Sequence, residues 1–403
     1  PTGCSAAANT LTCPLDESSS NQHLTFGIRM GQERAADQYV TMELTGQELC
    51  APLTETAIIH KIPDLWVDGM EVTQSIQRYP QNNVLLIEDR KTWIRVYPTT
   101  DGSYVDNVPG VLSVYRCSGG DCSQFLGELT PETHTDYISV APTYDRGDAT
   151  QSFIFGLPQE WTHGNLMLIP EVNPELSNGA HWVDETDYSN NQGDSLRVHF
   201  QPGTSLSFTW IEGTYYDGSG NLLYTSTASD LNDDMQWMRG AMPFPEVVNL
   251  GRAPTSVRLN NYSFASFDDW ADSVARLNRK HDSCTGDPLC SVPWVLVIPN
   301  TIPGCCGDTA GIANAVGGNT IIVQDIGERH VLGHEMGHLL GLRHGDCGLD
   351  AGDPYRDTSI PVNIEDYGLD VETLDIYPPS STVDLMTYCN PVWTSIHSYE
   401  FMY

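Results

Sequence analysis

The sequence predicts an α+β protein in which a β-sandwich precedes a half that mixes strands and helices. Short strand-like segments bounded by Pro, Gly, Asn or Asp run through residues 64–118, with no helical period between them. Two helical segments follow at 230–241 and 267–280, and in the second Trp270, Val274 and Leu277 fall at helical spacing. Apolar runs at 293–299 and 320–325 then indicate buried strands.

These patterns divide the chain into three predicted regions. Residues 1–62 are an N-terminal arm with a partial β segment, because the first 22 residues are small and polar. Residues 63–198 form a β-sandwich, and short strands at this spacing favour the immunoglobulin type. Residues 199–403 form the mixed domain, with a sheet and several helices.

The charge of the chain excludes one class of function. There are 53 acidic side chains against 19 basic ones, which gives a formal net charge of −34. A nucleic-acid binder needs a basic face that neutralises phosphates, and this chain lacks the cations to build one. The same sign argues against anionic membrane surfaces, and no apolar run reaches the roughly 18 residues of a transmembrane helix.

The eleven cysteines point to an oxidising compartment. Cys117 with Cys122, and Cys284 with Cys290, are spaced for local disulfides rather than for a four-cysteine zinc site. We therefore expect a secreted protein, extracellular or at the cell surface. The chain starts at Pro1, so we expect the numbering to describe a product whose targeting segment has been removed. For Cys4, three alternatives stay open: a lipid anchor, a thiolate that caps a metal in a latent form, and a plain disulfide.

A candidate metal site lies in residues 325–346. Asp325 followed by Glu328 is a capping-box pattern and predicts that a helix starts there. On that helix His334 and His338 are four residues apart, so both imidazoles project from one face. Glu335 is set slightly round the helix and can reach a metal-bound water without being a ligand.

The chain after this helix is expected to return a third histidine to the same ion. Gly341 ends or turns the helix, which lets His344 swing back from a loop. Gly333 and Gly337 are expected to permit close packing of another element, since glycine is costly inside a helix. Three neutral imidazoles leave one open position on zinc, which is the mark of a catalytic site.

The run His-Glu-Met-Gly-His-Leu-Leu-Gly-Leu-Arg-His at 334–344 resembles the HExxHxxGxxH signature of the metzincin zinc endopeptidases. The resemblance covers roughly residues 200–403. It implies that Zn²⁺ binds His334, His338 and His344 and that Glu335 is the general base. The segment Val-Asp-Gly-Met-Glu-Val-Thr-Gln-Ser-Ile at 67–76 is similar, more weakly, to immunoglobulin-like modules that precede such domains in bacterial secreted proteins.

The same resemblance assigns residues near the C-terminus. Met386, in Asp-Leu-Met-Thr-Tyr-Cys, matches the Met-turn beneath the zinc. Tyr388 matches a tyrosine near the metal in some members, where it would approach the metal or the oxyanion; a structural tyrosine is the alternative. A disulfide between Cys347 and Cys389 would join the two flanks of the site. Only fourteen residues follow Cys389, so we expect the natural chain to continue.

The sequence therefore predicts an exported zinc endopeptidase that hydrolyses peptide bonds of extracellular proteins. Its substrate would lie as an extended strand against a sheet edge within residues 311–323. The alternative is a non-catalytic surface or matrix protein on the same scaffold, although such a protein has no need of Glu335. Two acidic clusters are either calcium sites or solvated loops: Asp346, Asp350, Asp353 and Asp357, and Asp230, Asp233 and Asp234.

Overall fold

A computed structural model describes most of the chain and divides it into two units, Pro1–Lys61 and Ile62–Tyr403. The described residues are 62–102, 104–132, 137–217, 219–260, 262–299, 302, 306–307, 309–350 and 352–403, together with the backbone of four strands before residue 60. Those four form two antiparallel pairs, β1 (Ser5–Ala7) with β2 (Thr10–Thr12) and β3 (Gln38–Leu44) with β4 (Leu53–Ile59). Cys4 and its three alternatives lie outside the described residues.

The second unit begins with two sheets that share one apolar core. The strands are β5 (Leu65–Thr73), β6 (Leu86–Ile87), β7 (Thr92–Thr100), β8 (Val105–Ser118), β9 (Asp121–Leu129), β10 (Tyr137–Val140), β11 (Phe153–Leu157), β12 (Gly164–Val172) and β13 (Leu196–Gln201). One sheet has the order β11-β7-β5, and the other has the order β10-β8-β12-β13-β6, with β9 also paired to β8. Alternate residues of β8 and β12 point into the core, as the period of a half-buried strand requires.

A six-stranded mixed sheet follows. Its strands are β14 (Leu206–Tyr216), β15 (Leu222–Thr225), β16 (Val247–Arg258), β17 (Trp294–Pro299), β18 (Gly311–Ala313) and β19 (Thr320–Asp325). The order is β15-β14-β17-β19-β18, with β16 also paired to β14. The pairings β14–β17 and β17–β19 are parallel, whereas β18 runs antiparallel to β19 at the edge.

Helices cover both faces of this sheet, and that explains why its central strands are apolar throughout. The described helices are α1 (Asn232–Ala241), α2 (Phe267–Asp282), α3 (Val331–Leu339) and α4 (Ile396–Met402). Along β17, Val295 and Val297 join the core that contains α1 and α3, while Leu296 and Ile298 join the core that contains α2. The predicted helices at 230–241 and 267–280 and both predicted strands are confirmed, within a few residues at their ends.

The C-terminal segment contributes two short strand pairs, β20 (Gly368–Leu369) with β21 (Ile376–Tyr377) and β22 (Val383–Asp384) with β23 (Val392–Trp393). The described residues therefore form a mixed α and β structure that is mostly sheet, as expected for the broad class. The immunoglobulin and metzincin types, and the boundary at residue 198, stay predictions. No helix in the described part of the chain is long and apolar enough to cross a membrane.

The three predicted disulfides are confirmed. Cys117–Cys122 closes the turn between β8 and β9, and Cys284–Cys290 closes the loop after α2. Cys347–Cys389 joins two segments that are 42 residues apart. The first two bonds are local, whereas the third closes a long loop that follows His344 and contains Met386 and Tyr388.

Candidate metal centre

Helix α3 carries the first two histidines, and it begins later than the capping-box pattern predicts. Strand β19 stays paired to β17 as far as Asp325, and Gly327 then turns the chain with a φ of +75°. The helix starts only at Val331, so the predicted start at Asp325 to Glu328 is wrong. Asp234, on α1, faces the first turn of this helix, where the backbone N–H of Leu332 lowers the pKa of the Asp234 carboxyl against the effect of burial.

Two glycines let α3 lie close to its neighbours, as predicted. A Cβ atom added at Gly333 would lie 2.6 Å from Cζ3 of Trp237, and one added at Gly337 would lie 2.6 Å from Sδ of Met386. Leu332 is fully buried on the side of the helix that faces the core. The helix is therefore held against α1 on one side and against the segment around Met386 on another.

The third histidine reaches the first two because the chain reverses after the helix. Gly341 has a φ of +106°, which only glycine adopts without strain, and Leu342 N–H donates to the Gly337 carbonyl. His344 then returns to the helix, and one nitrogen from each of His334, His338 and His344 lies within 4.8 Å of the others. All three side chains are buried.

Each imidazole is oriented by an acceptor at Nδ1, on the side away from the other two. The acceptors are the Leu385 carbonyl for His334 at 2.8 Å, the Leu342 carbonyl for His338 at 3.0 Å, and Oδ2 of Asp353 for His344 at 3.2 Å. With its proton on Nδ1, a neutral imidazole has a lone pair on Nε2.

The inner faces of the three rings therefore fit a metal ion. The Nε2 atoms of His338 and His344 lie 2.9 Å apart, and with the proton of each ring on Nδ1 their two lone pairs repel at this distance unless both coordinate one cation. Burial lowers the pKa of His338 to about 4 and that of His334 well below its usual value, and it lowers the pKa of His344 too. The imidazoles are thus neutral at neutral pH, as metal ligands must be.

Glu335 is buried beside the three histidines and against the sheet edge. Burial raises the pKa of its carboxyl to about 8, and the backbone N–H of Ala313 in β18 acts in the opposite direction and lowers it. A Cβ at Gly311 would come within 2.9 Å of Oε1 of Glu335, so glycine is needed there. A bound divalent cation would favour the ionised carboxylate and lower this pKa.

Among the residues that the structure describes, no strand pairs with the outer edge of strand β18, which lies next to Glu335. Asn314 N–H donates to the Thr320 carbonyl at 2.9 Å, and Gln324 N–H donates to the Ala310 carbonyl at 2.8 Å. Because bonded and non-bonded positions alternate in an antiparallel pair, the peptide groups of Gly311 and Ala313 face away from β19. The predicted edge within 311–323 is thus narrowed to 311–313, since β19 is paired on both sides.

Met386 and Tyr388 lie on a turn that packs beneath and beside the histidines. Met386 is fully buried, and its N–H donates to Oδ1 of the buried Asp384 at 2.7 Å. The hydroxyl of Tyr388 lies 2.8 Å from Nε2 of His344, although about half of the side chain is exposed. Cys347–Cys389 fastens this turn to the segment that follows His344.

No family model matches the chain, and no curated protein matches it. The likeness of residues 334–344 and 384–389 to the metzincin pattern therefore stays a prediction from those residues alone.

Two residues of the site are missed by the local sequence pattern, Asp353 and Asp234. Both act across long loops or between helices, so spacing alone carries no signal for them. The sequence places both only in acidic clusters, which are either calcium sites or solvated loops. In the part of the chain that the structure describes, the three histidines are the only group of three or more His, Cys, Asp or Glu ligand atoms this close together. Asp346, from the same cluster, is paired with Arg356.

Proposed function

We propose that this protein is an exported zinc endopeptidase that hydrolyses peptide bonds in extended polypeptide segments. The observation that carries the proposal is the convergence of three buried, neutral imidazoles beside a buried carboxylate and a strand edge that no other described strand covers. Imidazole nitrogens suit zinc, and a set of three protein ligands leaves a position for water or substrate. The three described disulfides favour an extracellular location.

The metal and Glu335 divide the chemistry between them. Zinc, when bound, supplies a Lewis acid that polarises the scissile carbonyl and makes a water molecule more acidic. The carboxylate of Glu335 accepts the proton of the attacking water and then delivers it to the nitrogen of the leaving amine. The backbone N–H of Ala313 favours the ionised form of this carboxylate.

Substrate binding uses the edge of β18. The outward N–H and carbonyl of Gly311 and the outward carbonyl of Ala313 pair with the main chain of an extended substrate, which needs no particular side chains, while the Ala313 N–H faces Glu335. Because Glu335 contacts the same strand, this pairing would place a substrate carbonyl next to the general base.

Tyr388 is suited to stabilise the negative charge that develops on the substrate oxygen. Burial raises the pKa of its hydroxyl above the usual value, so the group remains a donor throughout the neutral range. Its position beside Nε2 of His344 places that donor next to the metal site.

The proposal is tested by removing zinc with a chelator, restoring it, and following cleavage of an unfolded protein. Activity should be lost and regained with zinc, and Glu335→Gln should keep zinc but lose at least about 10²-fold in turnover, as expected for loss of a general base. Glu328→Gln is the matched control, because Glu328 is half-exposed and precedes the helix. Equal turnover in the Glu335 variant would refute the mechanism, and zinc binding without any cleavage would favour the non-catalytic alternative.

A further inference from the structure

The third histidine is held by a loop, whereas the first two are held by a helix. His344 N–H donates to the Tyr355 carbonyl at 2.9 Å, and the His344 carbonyl accepts from Asp357 N–H at 2.8 Å. These two bonds clamp the backbone of His344 against the far end of the loop 346–357. The position of His344 therefore depends on how this loop is folded.

Asp353 is the residue of that loop that contacts the imidazole. Its Oδ2 lies 3.2 Å from Nδ1 of His344, and its Oδ1 accepts from Tyr355 N–H at 2.7 Å. Both carboxylate oxygens are thus occupied, and only 16% of the side chain is exposed. The carboxylate has little freedom to turn away from the ring.

This contact distinguishes His344 from the other two histidines. His334 and His338 donate to neutral carbonyls, whereas His344 faces a charged acceptor. A carboxylate at Nδ1 fixes the ring tautomer, fixes its orientation and makes Nε2 a better donor to a metal. It also lowers the cost of placing a divalent cation among buried rings.

We propose that Asp353 is a positioning residue of the metal site. It orients the imidazole of His344, which binds the metal, and it thereby sets the affinity of the site for that metal. This inference rests on the proposed metal site but requires no peptidase activity. The ion pair of Asp346 with Arg356 and the Cys347–Cys389 disulfide hold the two ends of the same loop. Asp353 is thereby kept on His344 by contacts that are independent of the metal.

The test compares Asp353→Asn with Asp350→Asn. Asp350 is exposed and lies in the same loop, so its variant makes the same change of charge away from the imidazole. Zinc affinity, measured by competition with a fluorescent chelator, should fall about 10- to 100-fold in the Asp353 variant and stay within about twofold in the control. The visible spectrum of the Co²⁺-loaded protein should change in the Asp353 variant and not in the control. A merely structural role of Asp353 would leave this spectrum unchanged.

A second variant keeps the test decisive if Asp353→Asn folds poorly. Asp353→Glu retains the charge on a longer side chain and should restore part of the affinity. Unchanged zinc affinity and an unchanged Co²⁺ spectrum in Asp353→Asn would overturn the proposal. Failure of the wild-type protein to bind either metal would overturn it together with the proposed function, whereas metal binding without peptide cleavage would overturn the function alone.

Discussion

The Cys347–Cys389 bond should contribute more to the free energy of unfolding than the local disulfides do. It joins residues 42 positions apart, whereas Cys117 and Cys122 are 5 positions apart. If a disulfide acts by restricting the unfolded chain, the loop-length relation gives about 4 kcal/mol for the long loop and about 2 kcal/mol for the short one. The long loop also carries Asp353 and Met386, so loss of the Cys347–Cys389 bond should weaken metal binding.

The measurement is denaturant unfolding of two double variants in the presence of a metal chelator, which removes any contribution of zinc to stability. One carries Cys347→Ala and Cys389→Ala, and the other carries Cys117→Ala and Cys122→Ala. Zinc affinity is then measured separately for both folded proteins. The reasoning is refuted if the first pair destabilises no more than the second, or if both variants bind zinc equally well.

Three further predictions follow from the shifted pKa values. Burial lowers the pKa values of the three imidazoles in the folded protein, that of His338 to about 4, so protons compete with zinc only at low pH. The zinc content after dialysis should therefore stay constant between about pH 7 and pH 5 and fall towards pH 4. Complete loss of zinc by about pH 6 would contradict this prediction. Burial raises the pKa of Asp234 from 3.8 to about 7 in the folded protein. Its contribution to the free energy of unfolding is therefore fully present below its pKa in the unfolded chain and is lost as the pH rises through 7. The unfolding free energy of the wild type minus that of Asp234→Asn should therefore fall as the pH rises from about 4 through 7. Urea titrations at several pH values measure this difference, and a flat or opposite trend would contradict the prediction. Glu335→Gln should stabilise the metal-free protein above the folded pKa of about 8, since the wild type must then bury a charge, and an unchanged thermal midpoint there would count against the burial argument.

The parts of the site that repeat at short spacing could be predicted from the sequence. His334 and His338 lie on one helix face, and Gly341 supplies the reversal that returns His344, as the spacing required. Strands β17 and β19 were predictable because residues buried on both faces leave an unbroken apolar run. Local periodicity is sufficient where neighbouring residues decide the structure.

The parts that depend on distant residues could not be predicted. The capping-box pattern predicts too early a start for α3 because Asp325 is still paired in β19, and the carboxyl that faces the first turn of α3, that of Asp234, comes from another helix. Asp353 reaches His344, nine positions earlier in the sequence, only because the loop between them folds back, and no spacing rule describes such a loop. The edge strand β18 has three residues, too few to carry a pattern of its own.

The central claim is that the three-histidine site holds one zinc ion and that this ion is needed to cleave peptide bonds. The most direct measurement titrates zinc into the metal-free protein and follows the rate at which new amino termini form in an unfolded protein substrate. We predict that the rate rises in proportion to bound zinc and reaches a plateau at one equivalent per chain. Cleavage by the metal-free protein, or none by the fully loaded protein, would contradict the claim.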